Sequence, residues 1–165
     1  MSNEYFHISQ NDLTILDVET ILKKNLKLKL DQQTEKKVIS NRQYLDQKLE
    51  NSDALYYGIN TGFGSLCNKA ISSDELIKLQ VNLVRSHACG FGKKVDNELV
   101  KIMMLLKIQS LSRGYSGITL STLKRLIYFF NHDIFPIVYE QGSLGASGDL
   151  APLAHMSLAL IGEGF

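Results

Sequence analysis

Hydrophobic positions along this chain recur mostly at helical spacing. Leu13 to Asn25 sets Leu16, Val18, Ile21 and Leu22 among polar residues, which predicts a short amphipathic helix. Leu26-Lys27-Leu28-Lys29-Leu30 then alternates with period two and predicts a short strand. Thr34 to Glu50 is polar apart from a face bearing Val38, Leu45 and Leu49, the pattern of a surface helix. Tyr56 to Gly64 is punctuated by Gly58, Gly62 and Gly64 and reads as strand running into loop. Ser72-x-x-Glu75 has the capping-box pattern and predicts the start of the next helix. Asp96 to Ser112 is apolar on almost every side, from Leu99 and Val100 to Ile108 and Leu111, so a central, buried helix is expected. Leu123, Leu126, Ile127 and Phe130 fall at i, i+3, i+4 and i+7, a one-sided helix. The predicted class is mainly α with a few short strands.

Composition narrows the possibilities without naming a chemistry. The 165 residues suit one domain, which would bury roughly 70% of its unfolded surface. Eighteen Lys and Arg against 17 Asp and Glu leave neither a basic stripe nor an acidic tail, so there is no call for nucleic acid or a membrane surface as partner. Cys67 and Cys89 are far apart, outside any metal-ligand spacing, and are expected as reduced thiols; no metal site is expected. The opening Met1-Ser2-Asn3-Glu4-Tyr5 lacks the basic and apolar regions of a signal peptide, which leaves a cytoplasmic protein as the expectation. Leu150 to Ile161 is apolar all round apart from His155 and Ser157, the mark of a helix meant for the middle of something larger. The chain stops soon after it, at Phe165, and we therefore expect a truncated piece.

The segment with the most chemistry is Gly142-Ser143-Leu144-Gly145-Ala146-Ser147-Gly148-Asp149. Its glycines read G-x-x-G-x-x-G, which is not the dinucleotide fingerprint, and no P-loop Lys-Ser/Thr follows. A nucleophile elbow G-x-S-x-G would need glycine where Asp149 stands. Ala146-Ser147-Gly148 offers something different. If the backbone bends tightly enough, the amide nitrogen of Gly148 can attack the carbonyl carbon of Ala146. Loss of water from that adduct, and of the Ser147 hydroxyl as a second water, leaves a five-membered ring with an exocyclic methylidene. That ring is an electrophile, which no natural side chain is. Glycine suits the attacking position because it has no Cβ and tolerates strained backbone.

Four blocks carry a resemblance to a known family: Tyr57-Gly58-Ile59-Asn60-Thr61-Gly62-Phe63-Gly64, Ser86-His87-Ala88-Cys89-Gly90, Ser110-Leu111-Ser112-Arg113-Gly114-Tyr115-Ser116-Gly117, and Gly145 through His155. In this order and spacing the chain resembles the amino-terminal part of the aromatic amino-acid ammonia-lyases, and among them the histidine-specific members. The resemblance implies the helical fold those enzymes share with the fumarase and aspartase group, with residues 1–165 as a truncated N-terminal domain. It also implies the cofactor 4-methylideneimidazol-5-one (MIO), formed autocatalytically from Ala146, Ser147 and Gly148. The implied substrate is L-histidine, the products trans-urocanate and ammonia, and the assembly a homotetramer.

The same resemblance assigns roles. Tyr57 matches the family's catalytic tyrosine, a general base that would need a positive environment, such as helix N-termini, to work far below the usual phenol range. Asp149 stands where it could cap a helix starting beside the ring. By pattern alone His87, on the stripe Leu76, Leu79 and Leu83, is a core histidine. The resemblance makes Ser86 and His87 the substrate-binding pair that reads the ring, in place of the Phe-Leu of many phenylalanine lyases or the His-Leu of many tyrosine lyases. Some tyrosine lyases and aminomutases also carry Ser-His, so those activities stay open as alternatives. His155 is expected as a buried hydrogen-bonding residue, Arg113 as a salt-bridge former, and His7 and His132 as surface residues. An asparagine, a second tyrosine, an arginine and a glutamate of the family's sites fall downstream of this chain, which favours a non-catalytic role for the 165 residues alone.

Overall fold

A computed structural model describes residues 4–51, 54–143 and 148–164. The chain divides into two compact units, Met1–Lys48 with Asp96–Phe135, and Leu49–Val95 with Pro136–Phe165. Among the described residues no helix is long and apolar enough to cross a membrane.

The first unit is built on a β-α-β start. Strands β1 (Tyr5–Ile8) and β2 (Lys27–Leu30) pair in parallel with Phe6 opposite Leu28 and Ile8 opposite Leu30, joined by helix α1 (Ile15–Lys23). The alternation in β2 sends Leu28 and Leu30 into the core beside Ile8 and Ile21. Helix α2 (Gln32–Glu50) buries only Thr34 and Val38, the one-faced burial its pattern predicts. Helix α4 (Asn97–Ser112) packs against α5 (Leu120–Asn131), burying Val100, Met104, Leu105 and Ile108 with Leu123, Leu126, Ile127 and Phe130. Leu99 and Leu106 remain about half exposed, at 54% and 52%, so α4 is buried on one face and not all round as expected. The reason is geometric: α5 and the core of the unit cover a single stripe of the helix. At the end of α5, Asn131 completes the free edge of β2. Its Oδ1 accepts the Leu28 N–H at 2.7 Å and its Nδ2 donates to the Leu28 carbonyl at 2.9 Å, replacing a missing strand. Arg113 pairs with Asp12 and donates to the Gln10 carbonyl, the structural role expected of it.

The second unit carries helix α3 (Ser73–His87), an antiparallel pair of short strands β3 (Phe91–Lys94) and β4 (Tyr139–Gln141), and helix α6 (Ala151–Leu158), which runs on into a 3₁₀ turn at Ala159–Ile161. α3 and α6 pack on one another. Ala151, Ala154, His155, Met156 and Ala159 are buried, while Leu150 and Leu153 stay 41% and 42% exposed.

Two local expectations are corrected. Tyr56–Gly64 is not a strand entering a loop: residues 57–60 form a turn, and only Thr61 makes an isolated bridge, to Ala70. The φ of +75° at Gly58 breaks the extended path directly after Tyr57. Helix α3 does start after Ser72, yet the Ser72 hydroxyl bonds the Glu75 carboxylate at 3.3 Å and caps no helix N–H. The reciprocal capping box is at Thr14 and Asp17 on α1, where Thr14 Oγ1 accepts the Asp17 N–H at 3.1 Å and the Asp17 carboxylate accepts the Thr14 N–H at 2.9 Å.

Candidate active site

Tyr57, Ser86, His87 and Gly148 all belong to the second unit, although they are up to 91 positions apart. Ala146 and Ser147 lie outside the described residues.

Tyr57 is presented by a knitted turn. The Tyr56 carbonyl accepts the N–H groups of Ile59 and Asn60, and the Asn60 side chain accepts the Tyr56 N–H at 2.7 Å while donating to the Ala54 carbonyl at 2.9 Å. Thr61, fully buried, accepts the Gly58 N–H at 3.3 Å. The polar residues of the block therefore hold its backbone, and Tyr57 is pushed outward, 65% exposed. Its ring meets Phe63 edge to face at 5.8 Å. Asn60 and Thr61 as turn holders were not identified individually from sequence, although an Asn-Thr pair beside glycine is a turn signal in itself.

Ser86 and His87 end α3, and both reach back to one carbonyl. Ser86 Oγ donates to Leu83 O at 2.9 Å, and His87 Nδ1 sits 2.8 Å from the same oxygen. A carbonyl can only accept, so neutral His87 carries its proton on Nδ1 and presents Nε2 with a free lone pair. His87 is half-buried and Ser86 exposed, which leaves the pair open to a ligand.

Around the tripeptide, the described residues form a brace. Asp149 Oδ1 accepts the Ser143 N–H at 2.9 Å and the Ala151 N–H at 3.1 Å, tying the end of β4 to the start of α6 across residues 144–148. Asp149 is not itself the N-cap of α6, which is Leu150, but from one residue earlier it accepts the first N–H of the helix, and its bond to Ser143 is one that sequence reasoning missed. Gly142 makes room for it, since a Cβ there would lie 2.0 Å from Asp149 Oδ2 and 2.3 Å from Cγ. Gly148 has φ of +94°, a conformation that suits glycine alone, and a Cβ on it would meet no atom of the described residues within 4 Å. Backbone geometry favours glycine at the attacking position. These observations fit a group made from Ala146, Ser147 and Gly148.

His155 on α6 is buried, and its Nε2 accepts the Gly90 N–H at 2.9 Å. Burial holds its pKa below the usual histidine value, so the imidazole stays neutral and able to accept. This is the hydrogen-bonding role expected for it.

The sequence profile described as aromatic amino acid lyase matches residues 13–165. The chain belongs to the aromatic amino acid lyase family. It is 47% identical over 152 residues to histidine ammonia-lyase of Staphylococcus saprophyticus, covering 92% of this chain and 30% of that protein. Among solved structures it resembles histidine ammonia-lyase from Trypanosoma cruzi, with a TM-score of 0.84 at 30% identity over 97% of this chain and 30% of that one. Phenylalanine aminomutase of Pantoea agglomerans matches with a TM-score of 0.84 at 31% identity, covering 94% and 29%. The fold is thus that of the ammonia-lyases and aminomutases, and the chain spans about 30% of the length of the curated relatives it matches.

Proposed function

We propose that this chain is the N-terminal, MIO-bearing part of a cytoplasmic histidine ammonia-lyase that works as a homotetramer. The observation that carries the reading is the 47% identity to a protein named histidine ammonia-lyase over 92% of the chain. Tyr57, the Ser86-His87 pair and the tripeptide Ala146-Ser147-Gly148 all stand in that matched stretch. The reaction breaks the Cα–N bond of L-histidine and removes a Cβ proton, giving trans-urocanate and ammonia with no oxidant or reductant. The ring built from Ala146, Ser147 and Gly148 supplies the electrophile that makes the amine a better leaving group.

The chain's own residues divide the remaining work. Tyr57, exposed on its turn, takes the β-proton as general base. His87 keeps Nδ1 on the Leu83 carbonyl and turns Nε2 to the substrate, where its lone pair accepts an imidazole N–H. Phenylalanine has no such donor, and this is the physical basis of ring selection. Asp149 holds the two sides of the tripeptide segment together, and Gly148, which has no Cβ, offers its amide as nucleophile. The 165 residues alone are non-catalytic in this account. Aminomutases among the structural relatives support a second reading, in which the amine returns to the β-carbon.

The test supplies a full-length protein carrying this segment with L-histidine, L-tyrosine and L-phenylalanine in turn. A conjugated acid and ammonia from histidine alone support the reading. A β-amino acid, or product only from tyrosine or phenylalanine, overturns it.

A further inference from the structure

His87 sits on the last turn of α3, and the tripeptide segment sits just before α6, so substrate fit depends on how these two helices are fastened. Two links join them on either side of His87. Upstream, Arg85 forms a two-pronged ion pair with Glu163, just after the 3₁₀ turn that extends α6, with Nε 3.0 Å from both carboxylate oxygens. Downstream, the Gly90 N–H donates to His155 Nε2 at 2.9 Å.

The two links differ in kind. The Arg85 side chain is about half exposed and that of Glu163 about a third, and a solvent-facing pair of that sort contributes little even with good geometry. The Gly90–His155 bond is shielded, with His155 8% exposed and its ring edge-on to Tyr139 at 5.3 Å. Gly90 is also sandwiched: a Cβ there would lie 3.0 Å from His155 Nε2 and 3.3 Å from the Gln141 carbonyl. Residue 90 is therefore gripped between α6 and β4, three residues past His87.

We propose that His155 is a positioning residue for ring recognition. By accepting the Gly90 N–H it fixes the chain leaving α3, and so sets where His87 stands relative to the helix that follows the tripeptide. The inference rests on the histidine-lyase reading, since it assigns His87 to the substrate ring.

The experiment uses the full-length protein with His155→Phe, which keeps ring bulk but cannot accept, and His155→Gln, whose Oε1 reaches close to the Nε2 position. Each is scored for the two-water mass deficit at residues 146–148, for KM and kcat with L-histidine, and for kcat/KM with L-histidine against L-phenylalanine. His155→Phe is expected to keep the deficit, raise KM about 10-fold with kcat changed less than about 3-fold, and reduce the preference for histidine by a similar factor, with His155→Gln restoring most of both. Unchanged KM and preference in His155→Phe overturn the proposal, as does an equal loss in the Phe and Gln variants. Should His155→Phe fail to fold, His155→Asn takes its place. Its shorter amide reaches only the Nδ1 position, and equal behaviour of the Asn and Gln variants overturns the proposal. Absence of urocanate from the unsubstituted protein is a separate result, which sinks the functional reading itself.

Discussion

Gly142 and Asp149 form a pair whose failure can be calculated. In Gly142→Ala the new methyl would lie 2.0 to 2.3 Å from the Asp149 carboxylate atoms, far inside any tolerated contact. The carboxylate must swing away by about 1 Å or more, which stretches its bonds to the Ser143 and Ala151 N–H groups beyond hydrogen-bond range. Position 142 is not among the positive-φ glycines, so alanine there meets no backbone penalty to confuse the result. A hydrogen bond to a charged group contributes about 1.5–3 kcal/mol. Asp149 is exposed, and solvent reduces this to about 1 kcal/mol for each bond. Gly142→Ala and Asp149→Ala should each destabilise by about 2 kcal/mol. The double variant should cost about 2 and not about 4 kcal/mol, because the clash vanishes with the carboxylate. Urea unfolding of the four proteins, followed by circular dichroism, gives the cycle. In the full-length protein both single variants should also lose most of the two-water deficit at residues 146–148. Additive stability losses, or Gly142→Ala with the deficit intact, would refute the reasoning.

Three further outcomes are expected. Burial holds the His155 pKa below its ordinary value near 6.5, so the neutral form is favoured in the fold, and its stabilisation is present above about pH 6.5 and lost as pH falls toward the lowered value. The urea midpoint should drop between about pH 7.5 and 5.5 by more in the native chain than in His155→Gln; equal drops would contradict this. Tyr57→Phe in the full-length protein should lower kcat by about 10²- to 10⁴-fold while the mass deficit persists, and near-native kcat would remove Tyr57 from the role of base. Thr14→Ala should cost about 1 kcal/mol in urea unfolding and Ser72→Ala only a few tenths, because only Thr14 accepts a helix N–H.

What was readable in the sequence follows from what holds each part. The i, i+3, i+4, i+7 set of α5 is entirely buried, because a stripe of that width can be covered only by packing the helix on one side. The apolar sequence of α4 was less informative: hydrophobicity on every side gives no direction, and the covered stripe depends on which neighbours are present. β1, β3 and β4 are not legible because Tyr-Phe-His-Ile, Phe-Gly-Lys-Lys and Tyr-Glu-Gln lack the strict apolar–polar alternation that marks β2, and β3 is exposed throughout. The cap at Thr14 is hidden in the sequence because Asp17 stands where the usual pattern has Glu or Gln.

At the candidate site, residue types were legible and their couplings were not. The motif blocks named Tyr57, Ser86, His87 and Gly148, and His155 was marked as buried and hydrogen-bonded. Its partner Gly90 is 65 positions away, and no local pattern connects the two. The grip of Asp149 on both Ser143 and Ala151 was likewise hidden, since the sequence shows the carboxylate but not the fold of the chain that brings the two N–H groups to one oxygen.

The most direct test of the histidine-lyase reading is the product formed from L-histidine by a full-length protein carrying this segment, beside its Ser147→Ala variant. The account predicts equal amounts of trans-urocanate and ammonia from the first, with the two-water deficit at Ala146–Gly148, and neither product nor deficit from the second. Urocanate from the Ser147→Ala variant at the unsubstituted rate, or none from the unsubstituted protein, would contradict it.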